Sequence, residues 1–408
     1  MQEIIVEKPY KFVPPHRGDW IPSLIHKAGL VEAYLKRFEG IHSHEVRRAE
    51  LLTSSLESGH GVLLAPNHCR YADPIAMGWL SRKVQRHLFS MASWHLFNQG
   101  WLLAFAIKMC GGFSVFREGS DRKSLETAID ALADAKRPLV VFPEGTVYRS
   151  NDRLQPLLDG VAFLARSAAR RREKRDGGQV VIHPVAVKYL FRGDLAATIQ
   201  PVIERLESRF SLGWSHSAGK NTVRELLPRI ERLSLALLGL WEIKHLGQCQ
   251  QGSEAERRDR LITALLAKQE KRWDISNADG STIPRIKALR IKMMPELLSK
   301  DLQRSRRIEI WNDLEDLYQV QQISSYPADY LAEPTETRIL ETVERIEEDI
   351  TDKCTIHQPF HTILEVCEAI IVPAERAPRG QQDPLLSQLS ESLFSALKRL
   401  SAESPLAS

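Results

Sequence analysis

Short apolar runs recur between residues 61 and 190, and helical patterns lie between them. The runs are Val62–Ala65, Phe113–Phe116, Leu139–Phe142 and Val180–Val187, and Ser124–Ala135 places its apolar residues on one helical face. Alternation of strands and helices is typical of a largely parallel sheet covered by helices. The sequence therefore predicts an α/β fold.

The strand signal stops near residue 194 and returns late in the chain. Long helical patterns fill the interval, and Thr362–Val372 is again short and branched, with a helix beginning at Asp383-Pro384. We therefore predict a large helical insertion before the last strand and helix, and we expect the acidic face of the helix at 337–350 to be solvated. The predicted domains are an amphipathic helical lead-in at 1–58, an α/β core at 59–194, the helical insertion at 195–358, and the returning strand and helix at 359–402.

The composition narrows the possible location and partners. A net charge of +4 is too weak to favour nucleic acid but suits an anionic substrate or an anionic membrane surface. Five scattered cysteines favour a reducing cytoplasm, and the first residues lack a secretory signal pattern. The most apolar stretch, Gly100–Phe116, carries Lys108 and is too short to span a membrane, so we interpret it as a buried helix running into a strand. We expect a soluble or peripheral protein.

A histidine and an aspartate follow the first apolar run. His68 comes two residues after Pro66, and Asp73 lies five residues further on. The carboxyl end of a buried strand is where open α/β sheets place ligands. An imidazole there is able to take a proton from a hydroxyl at neutral pH, and a carboxylate one turn away is able to hold its other nitrogen. We interpret His68 as a general base and Asp73 as its orienting carboxylate.

Two further strands are followed by residues suited to an anionic ligand. Arg117 ends the second run and offers a planar fork that matches a phosphate. Gly145, within Phe142-Pro143-Glu144-Gly145-Thr146, permits close backbone approach to a ligand. We expect Glu144 to bond the acceptor or the arginine, because an unpartnered carboxylate at a strand end is costly. A fourth block, His183–Ala186, is expected to line a wall.

Together these four blocks resemble the glycerophospholipid acyltransferase family, which includes the 1-acylglycerol-3-phosphate acyltransferases. That family carries an N-H-x-x-x-x-D block, a G-x-x-x-x-x-R block, an F-P-E-G-T block and a final apolar block, in that order. Here they read Asn67–Asp73, Gly111–Arg117, Phe142–Thr146 and His183–Ala186. The four blocks in family order make the resemblance specific.

The resemblance implies an enzyme that moves a fatty acyl group from a thioester to a hydroxyl of a lysophospholipid, with 1-acylglycerol 3-phosphate as the favoured acceptor. Acyl-CoA or acyl carrier protein would supply the acyl group as co-substrate, without a covalent intermediate, a cofactor or a metal. His68 and Asp73 would be catalytic, whereas Asn67, Arg117, Glu144, Gly145 and Thr146 would bind the acceptor. The expected partners are the lysophospholipid, the thioester and an anionic membrane surface, with acyl carrier protein if it is the donor. The expected location is the cytoplasm, peripheral on the inner face of the membrane.

Several alternatives remain open at this point. The acceptor is alternatively glycerol 3-phosphate or a non-phosphate amphiphile, and the protein is alternatively a catalytically silent lipid-surface binder. A thiol nucleophile at Cys69 and a metal site formed by His68, Asp73 and Glu144 are less favoured. Trp20 and Tyr34 are expected to pack on the core rather than to contact a bilayer. The basic run at 166–175 is expected either to bind anionic lipid headgroups or coenzyme phosphates, or to be a solvated helix end.

Overall fold

The computed structural model describes most of the chain as two compact units. One unit comprises Asp194–Thr355 with the two chain ends, and the other comprises Tyr10–Gly193 and Ile356–Pro405. We call them the helical unit and the α/β unit. The described residues are 5–119, 121–175, 177–212, 221–275, 280–325, 329–375 and 383–407.

The α/β unit alternates strands and helices along most of its length. Its strands are β1 (Ile41–Arg47), β2 (Gly61–Pro66), β3 (Phe89–Ser93), β4 (Gly112–Val115), β5 (Leu139–Val140), β6 (Val180–Phe191), β7 (Phe360–Val366) and β8 (Ile370–Ile371). Its α-helices are α1 (Trp20–Lys27), α2 (Leu30–Glu39), α3 (Ala49–Glu57), α4 (Asp73–Lys83), α5 (Trp101–Met109), α6 (Arg122–Asp134), α7 (Gly160–Glu173) and α14 (Pro384–Ser401). A short 3₁₀ helix spans Trp94–Asn98.

Within the described residues, the eight strands form one sheet in the order β1-β7-β6-β2-β5-β3-β4, with β8 also paired to β6. Every pairing is parallel except those of β6 with β7 and with β8. Strand β2 is buried along its whole length because helices cover both faces of the sheet, which explains its continuous apolar run. The predicted fold class, a mostly parallel sheet covered by helices, is confirmed.

The first 58 residues differ from the predicted helical lead-in, because they contain strand β1. This strand lies at one end of the sheet and pairs in parallel with β7. Its sequence is mostly polar and exposed, as an edge strand allows, so it carries no apolar run that would reveal it. Trp20, expected to pack on the core, is 74% exposed, and Tyr34 is 42% exposed.

Helix α5 is where the prediction of a buried helix fails. The predicted change from helix to strand is present as α5 and β4, but none of the α5 residues is buried. The helix packs against the 3₁₀ helix and β4. Because β4 is the last strand of the sheet, it offers α5 less cover than a central strand would. The apolar composition of α5 therefore indicates something other than burial in the core.

Only the end of the basic run at 166–175 fits a solvated helix end, since residues 174–175 are exposed whereas Arg166 and Arg172 are buried. Arg166 is buried and bonds both carboxylate oxygens of Asp383, at 2.8 and 2.9 Å, as well as two backbone carbonyls after β8. Arg172, also buried, donates to the carbonyls of Ala133 and Gly59. These two arginines therefore join parts of the α/β unit that are far apart in sequence.

The helices of the helical unit are α8 (Leu195–Arg209), α9 (Val223–Leu246), α10 (Glu254–Arg272), α11 (Thr282–Leu297), α12 (Arg304–Ser324) and α13 (Glu336–Thr351). Two of them, α9 and α10, begin with a complete capping box.

The acidic face of α13 is not solvated as expected: Glu341 bonds the hydroxyl of Tyr330, and Glu347 bonds Arg205. Bilayer-spanning length and hydropathy are not combined in any helix of the described residues.

Candidate active site

Three of the four sequence blocks follow strands that run in the same direction. His68 follows β2, Arg117 follows β4, and Glu144 follows β5. Because these strands are parallel, their carboxyl ends lie at one edge of the sheet, where open α/β folds bind ligands. The topology therefore brings the predicted base and the predicted anion-binding residues to the same edge.

His68 and Asp73 are in direct contact. The His68 Nδ1–H donates to Oδ2 of Asp73 at 2.8 Å, and the imidazole stacks on Phe142 with ring centroids 4.1 Å apart. Asp73 begins helix α4 with Pro74 in its first turn, so the positive end of the helix dipole favours its negative charge. Since Nδ1 carries the proton, Nε2 is the nitrogen able to accept one. This is the arrangement of a general base held by a carboxylate.

The Asp73 carboxylate, fully buried, is held by a set of donors. Besides His68, its Oδ2 accepts the backbone N–H of Arg70 at 2.9 Å, and its Oδ1 accepts the hydroxyl of Tyr189 at 2.6 Å. Burial raises the pKa of Tyr189 well above its usual value, and the nearby Asp73 charge adds to this, so the phenol remains a proton donor. The Arg70 guanidinium lies 4.3 Å from the ring centroid of Phe360. The orientation of Asp73 is thus set from β6 as well as from its own loop.

Asn67, predicted to bind substrate, instead bonds strand β6. Its Nδ2 donates to the carbonyl of Val187 at 3.0 Å, and its Oδ1 accepts the Val187 N–H at 2.7 Å. Asn151 makes the same pair of bonds to Tyr189, at 3.0 and 2.7 Å. Since β2 pairs with β6 only as far as Val185, the two asparagine side chains continue the pairing along β6 beyond the end of β2. Both asparagines therefore hold Tyr189 and the histidine loop in register.

Glu144 also serves the framework of the site. Its Oε1 accepts the backbone N–H of His68 at 2.6 Å, and its Oε2 accepts that of Gln155 at 2.9 Å. Burial raises the pKa of Glu144 to about 8, against the effect of these two donors. The carboxyl group was expected to bond the acceptor or Arg117, whereas it joins the histidine loop to the segment after β5.

Arg117 lies in the turn after β4 and donates to the carbonyl of Gly145. Gly145 has φ +74°, and a Cβ there would lie 2.5 Å from Leu158, so no other residue fits this turn without strain. Thr146 follows it and is half-buried. The arginine block and the Glu-Gly-Thr block are therefore in contact, through Gly145 and not through Glu144 as expected.

The loop that carries Arg117 is held by a buried aspartate, Asp121, which the sequence analysis did not identify. Asp121 accepts the backbone N–H of Phe116 at 3.0 Å and that of Ser124 at 3.0 Å, and it caps helix α6. It also accepts the hydroxyl of Tyr10 at 2.5 Å, while the Tyr10 ring stacks on Phe116. These contacts fix the backbone just before Arg117.

A second histidine, His95, lies at the same edge, in the 3₁₀ helix after β3. Its Nδ1 is 2.9 Å from the hydroxyl of Ser93. Its pKa is lowered to about 4, first by burial and then by the positive charge of Arg117. His95 is therefore neutral at physiological pH and close to the predicted phosphate site.

Cys69 and His183, which were not favoured as catalytic residues, make contacts in the protein interior. Cys69 is buried, and its sulfur lies 3.8 Å from both Asp73 Oδ1 and the carbonyl of Val187, so it faces the interior and not a substrate. His183, expected to line a wall, is fully buried and bonds the hydroxyl of Ser55 at 2.8 Å and the carbonyl of Cys367 at 2.9 Å. The described residues contain no group of three or more His, Cys, Asp or Glu placed to hold a metal ion.

Sequence reasoning missed Tyr189, Asn151, His95 and Asp121. Tyr189 and Asn151 act through β6, whose distance from the histidine block along the chain hides the contact. His95 follows β3, a short strand whose serines weaken its apolar signal. Asp121 alone left a local signal, since an aspartate before a helical pattern is a common N-cap.

Comparison with known proteins agrees with this geometry. Residues 43–188 match the family model described as Acyltransferase. Over 113 residues, 27% of this chain, the sequence is 32% identical to a protein of Streptococcus pneumoniae (strain ATCC BAA-255 / R6) described as 1-acyl-sn-glycerol-3-phosphate acyltransferase. The matched part covers 38% of that relative's length. The family-model match falls within the α/β unit.

Proposed function

Since the chain belongs to the glycerophospholipid acyltransferase family, we propose that it transfers a fatty acyl group from a thioester to a hydroxyl of a lysophospholipid. The observation that carries the proposal is the His68–Asp73 contact at the edge of the sheet where Arg117 also lies. The favoured acceptor is 1-acylglycerol 3-phosphate, the substrate named in the description of the S. pneumoniae relative. The proposed donor is acyl-CoA or acyl carrier protein.

The geometry of the site supports direct transfer of the acyl group from the thioester to the acceptor hydroxyl. His68 Nε2 removes the proton from the acceptor hydroxyl, and the oxygen attacks the thioester carbonyl carbon to give a tetrahedral intermediate. The intermediate then collapses, the carbon–sulfur bond breaks, and the leaving thiolate takes the proton from His68. Asp73 stabilises the imidazolium between these two steps and keeps Nδ1 protonated throughout. The products are the diacylated lipid and the free thiol.

Arg117 is the residue proposed to bind the acceptor's phosphate. Its guanidinium uses one N–H donor on Gly145, and a planar fork of this kind matches phosphate oxygens. The neutral His95 beside it adds no second full charge. Asn67 and Glu144, with their polar atoms bonded to backbone, support the site's shape. In this proposal the acceptor meets Arg117 and the Gly145–Thr146 turn.

The test is release of free thiol from an acyl thioester in the presence and absence of lysolipid. The purified protein should release thiol only with the acceptor present, and His68→Ala should reduce turnover by at least about 1,000-fold, given the loss of the base. The matched control is His42→Ala, which changes an exposed histidine on β1 and should leave turnover unchanged. Normal turnover in His68→Ala would refute the mechanism.

Acceptor identity is tested with Arg117→Ala. Its Michaelis constant should rise about 10- to 100-fold for a phosphorylated acceptor and little for an uncharged one, because only the former loses a charge-assisted contact. An unchanged Michaelis constant for 1-acylglycerol 3-phosphate would remove Arg117 from the phosphate site. Faster turnover of glycerol 3-phosphate or of a non-phosphate amphiphile would replace the proposed acceptor.

A further inference from the structure

Helix α5 exposes a group of large apolar side chains. Trp101 is 79% exposed, Leu102 64% and Phe105 50%. We call these three residues the α5 patch. Isolated exposed apolar residues are ordinary on a protein surface, but three within five residues on a helix without a single buried residue form a contiguous patch. Such patches mark surfaces that contact a partner or a membrane.

The α5 patch lies at the active-site edge of the sheet. Helix α5 connects β3 to β4, which are parallel, so it starts near the carboxyl end of β3 and runs back toward the amino end of β4. The patch occupies the first half of α5, directly after the 3₁₀ helix that carries His95. His95 is close enough to Arg117 for the arginine's charge to lower its pKa. The patch is therefore beside the proposed phosphate site.

The chemistry of α5 fits a lipid interface. Its sequence, WLLAFAIKM, contains no acidic residue and places Lys108 in the last turn. Tryptophan is enriched where a protein meets the headgroup region, and a lysine near a helix end favours anionic lipid. Packing against β4 does not require Trp101, because this side chain is exposed to solvent.

We propose that the α5 patch inserts into the surface of a bilayer containing anionic lipid and that this surface delivers the acceptor to Arg117. This inference rests on the proposed function, since it assumes an acceptor whose acyl chain stays in the bilayer. The headgroup then reaches the active-site edge of the sheet without the lipid leaving the membrane.

Vesicle binding tests the proposal directly. The full-length protein is sedimented with vesicles of phosphatidylcholine alone or of phosphatidylcholine with phosphatidylglycerol. The double variant Trp101→Glu/Phe105→Glu should bind the anionic vesicles at least about 10-fold more weakly than the wild type. The matched control is Phe394→Glu, because Phe394 is 60% exposed on α14 and does not belong to the patch. It should bind like the wild type, and all variants should show the wild-type unfolding temperature.

Wild-type binding by the double variant would overturn the proposal. Trp20→Glu tests α1 as the alternative docking site, since Trp20 is 74% exposed on that helix. Loss of vesicle binding in Trp20→Glu and not in the double variant would assign docking to α1. If the double variant instead turned a dimer into a monomer with unchanged vesicle binding, the patch would be a protein interface.

Activity measurements separate this inference from the proposed function. With a short-chain acceptor dissolved as monomer, the double variant should keep the wild-type turnover, because none of its changes touches the catalytic residues. With the same acceptor class embedded in vesicles, its turnover should fall at least about 10-fold. Equal turnover on both acceptors would refute delivery through α5. Absence of wild-type turnover on either would refute the proposed function but leave the vesicle result standing.

Discussion

The proposed general base, His68, depends on Tyr189, a residue 116 positions along the chain from Asp73. Tyr189 donates its hydroxyl proton to Asp73, whose other oxygen holds His68. Because the Tyr189 side chain is buried behind Asp73, it acts through Asp73 and is a positioning residue. A hydrogen bond to a charged group contributes about 1.5–3 kcal/mol, which is enough to affect the orientation of the imidazole.

We therefore expect Tyr189→Phe to lower kcat about 10-fold while leaving KM for the acceptor unchanged. The ring and its packing remain, so the loss is confined to the bond that steadies Asp73 during proton transfer. The measurement is steady-state kinetics with both substrates varied. A rise in KM with unchanged kcat would instead place Tyr189 in acceptor binding.

His95 gives a prediction about pH. Its pKa is lowered to about 4 in the folded protein, whereas an unfolded histidine has a pKa near 6.5. Between these values the unfolded chain binds a proton that the folded chain does not. Folding stability linked to His95 is therefore complete above pH 6.5 and is lost as the pH falls toward 4.

His95→Asn should remove this component, so its free energy of unfolding should fall less steeply than that of the wild type between pH 6.5 and 4. The check is denaturant unfolding at several pH values, with His42→Asn as the exposed control. Parallel curves for the wild type and His95→Asn would contradict the assignment.

At the scale of single residues, the sequence predicts the proposed catalytic and phosphate-binding residues better than the contacts that hold them in place. His68 and Arg117 stand directly after or within three residues of apolar runs, with Asp73 five residues beyond His68, so their shared edge follows from the parallel pattern. The assignment of Asn67 and Glu144 to substrate binding was drawn from their place in the family blocks. Their backbone partners, on β6 and at Gln155, lie far along the chain and become visible only when the strands are paired.

Strand β6 is the element on which the site depends. It pairs with β2 up to Val185, and beyond that point Asn67 and Asn151 supply the bonds that a strand would have made. Strand β2 therefore turns into the histidine loop while the buried backbone N–H and C=O groups of β6 at Val187 and Tyr189 keep hydrogen-bond partners. Each such group left without a partner would lower the free energy of unfolding.

Asn151→Ala should accordingly lower the free energy of unfolding by about 1–3 kcal/mol, because it removes both partners of the Tyr189 backbone groups. It should also lower kcat through displacement of the Tyr189 hydroxyl. Chemical denaturation measures the first effect, and Asn312→Ala, an exposed asparagine of α12, is the matched control. Unchanged stability in Asn151→Ala would show that water replaces the amide.

Element prediction succeeded where patterns were strong and failed where an element lies at an edge. The apolar runs of β2 and β6 and the periodic helix α6 are present close to their predicted bounds. Strand β1 was missed because an edge strand carries polar residues. Helix α5 was recognised as a helix but placed in the core, because apolar composition does not distinguish a core from another apolar surface.

The whole molecule has a discontinuous α/β unit. The helical unit's segment Asp194–Thr355 interrupts it, and β7 comes afterwards to lie between β1 and β6. The return of a strand and a helix after an insertion was visible in the sequence. The insertion was predicted at 195–358, and the corresponding segment of the helical unit is Asp194–Thr355. The position of β7 inside the sheet was not visible, since strand order depends on contacts between distant segments.

A chain ending at Thr355 should fail to fold into a soluble protein, because β1 loses its partner β7 and one edge of β6 is left unpaired. Expression followed by sedimentation and circular dichroism tests this, with a chain ending at Pro405 as the control that keeps β7, β8 and α14. A soluble, cooperatively unfolding product from the shorter chain would show that the sheet closes without β7.

The central place of β7 has a consequence for synthesis on the ribosome. All four sequence blocks of the proposed site emerge before the helical unit is made, yet the sheet that aligns them is incomplete until β7 follows. Nascent chains therefore carry the whole site sequence for some time with β1 and β6 unpaired at one edge. We therefore expect the site to be complete only after β7 has been translated.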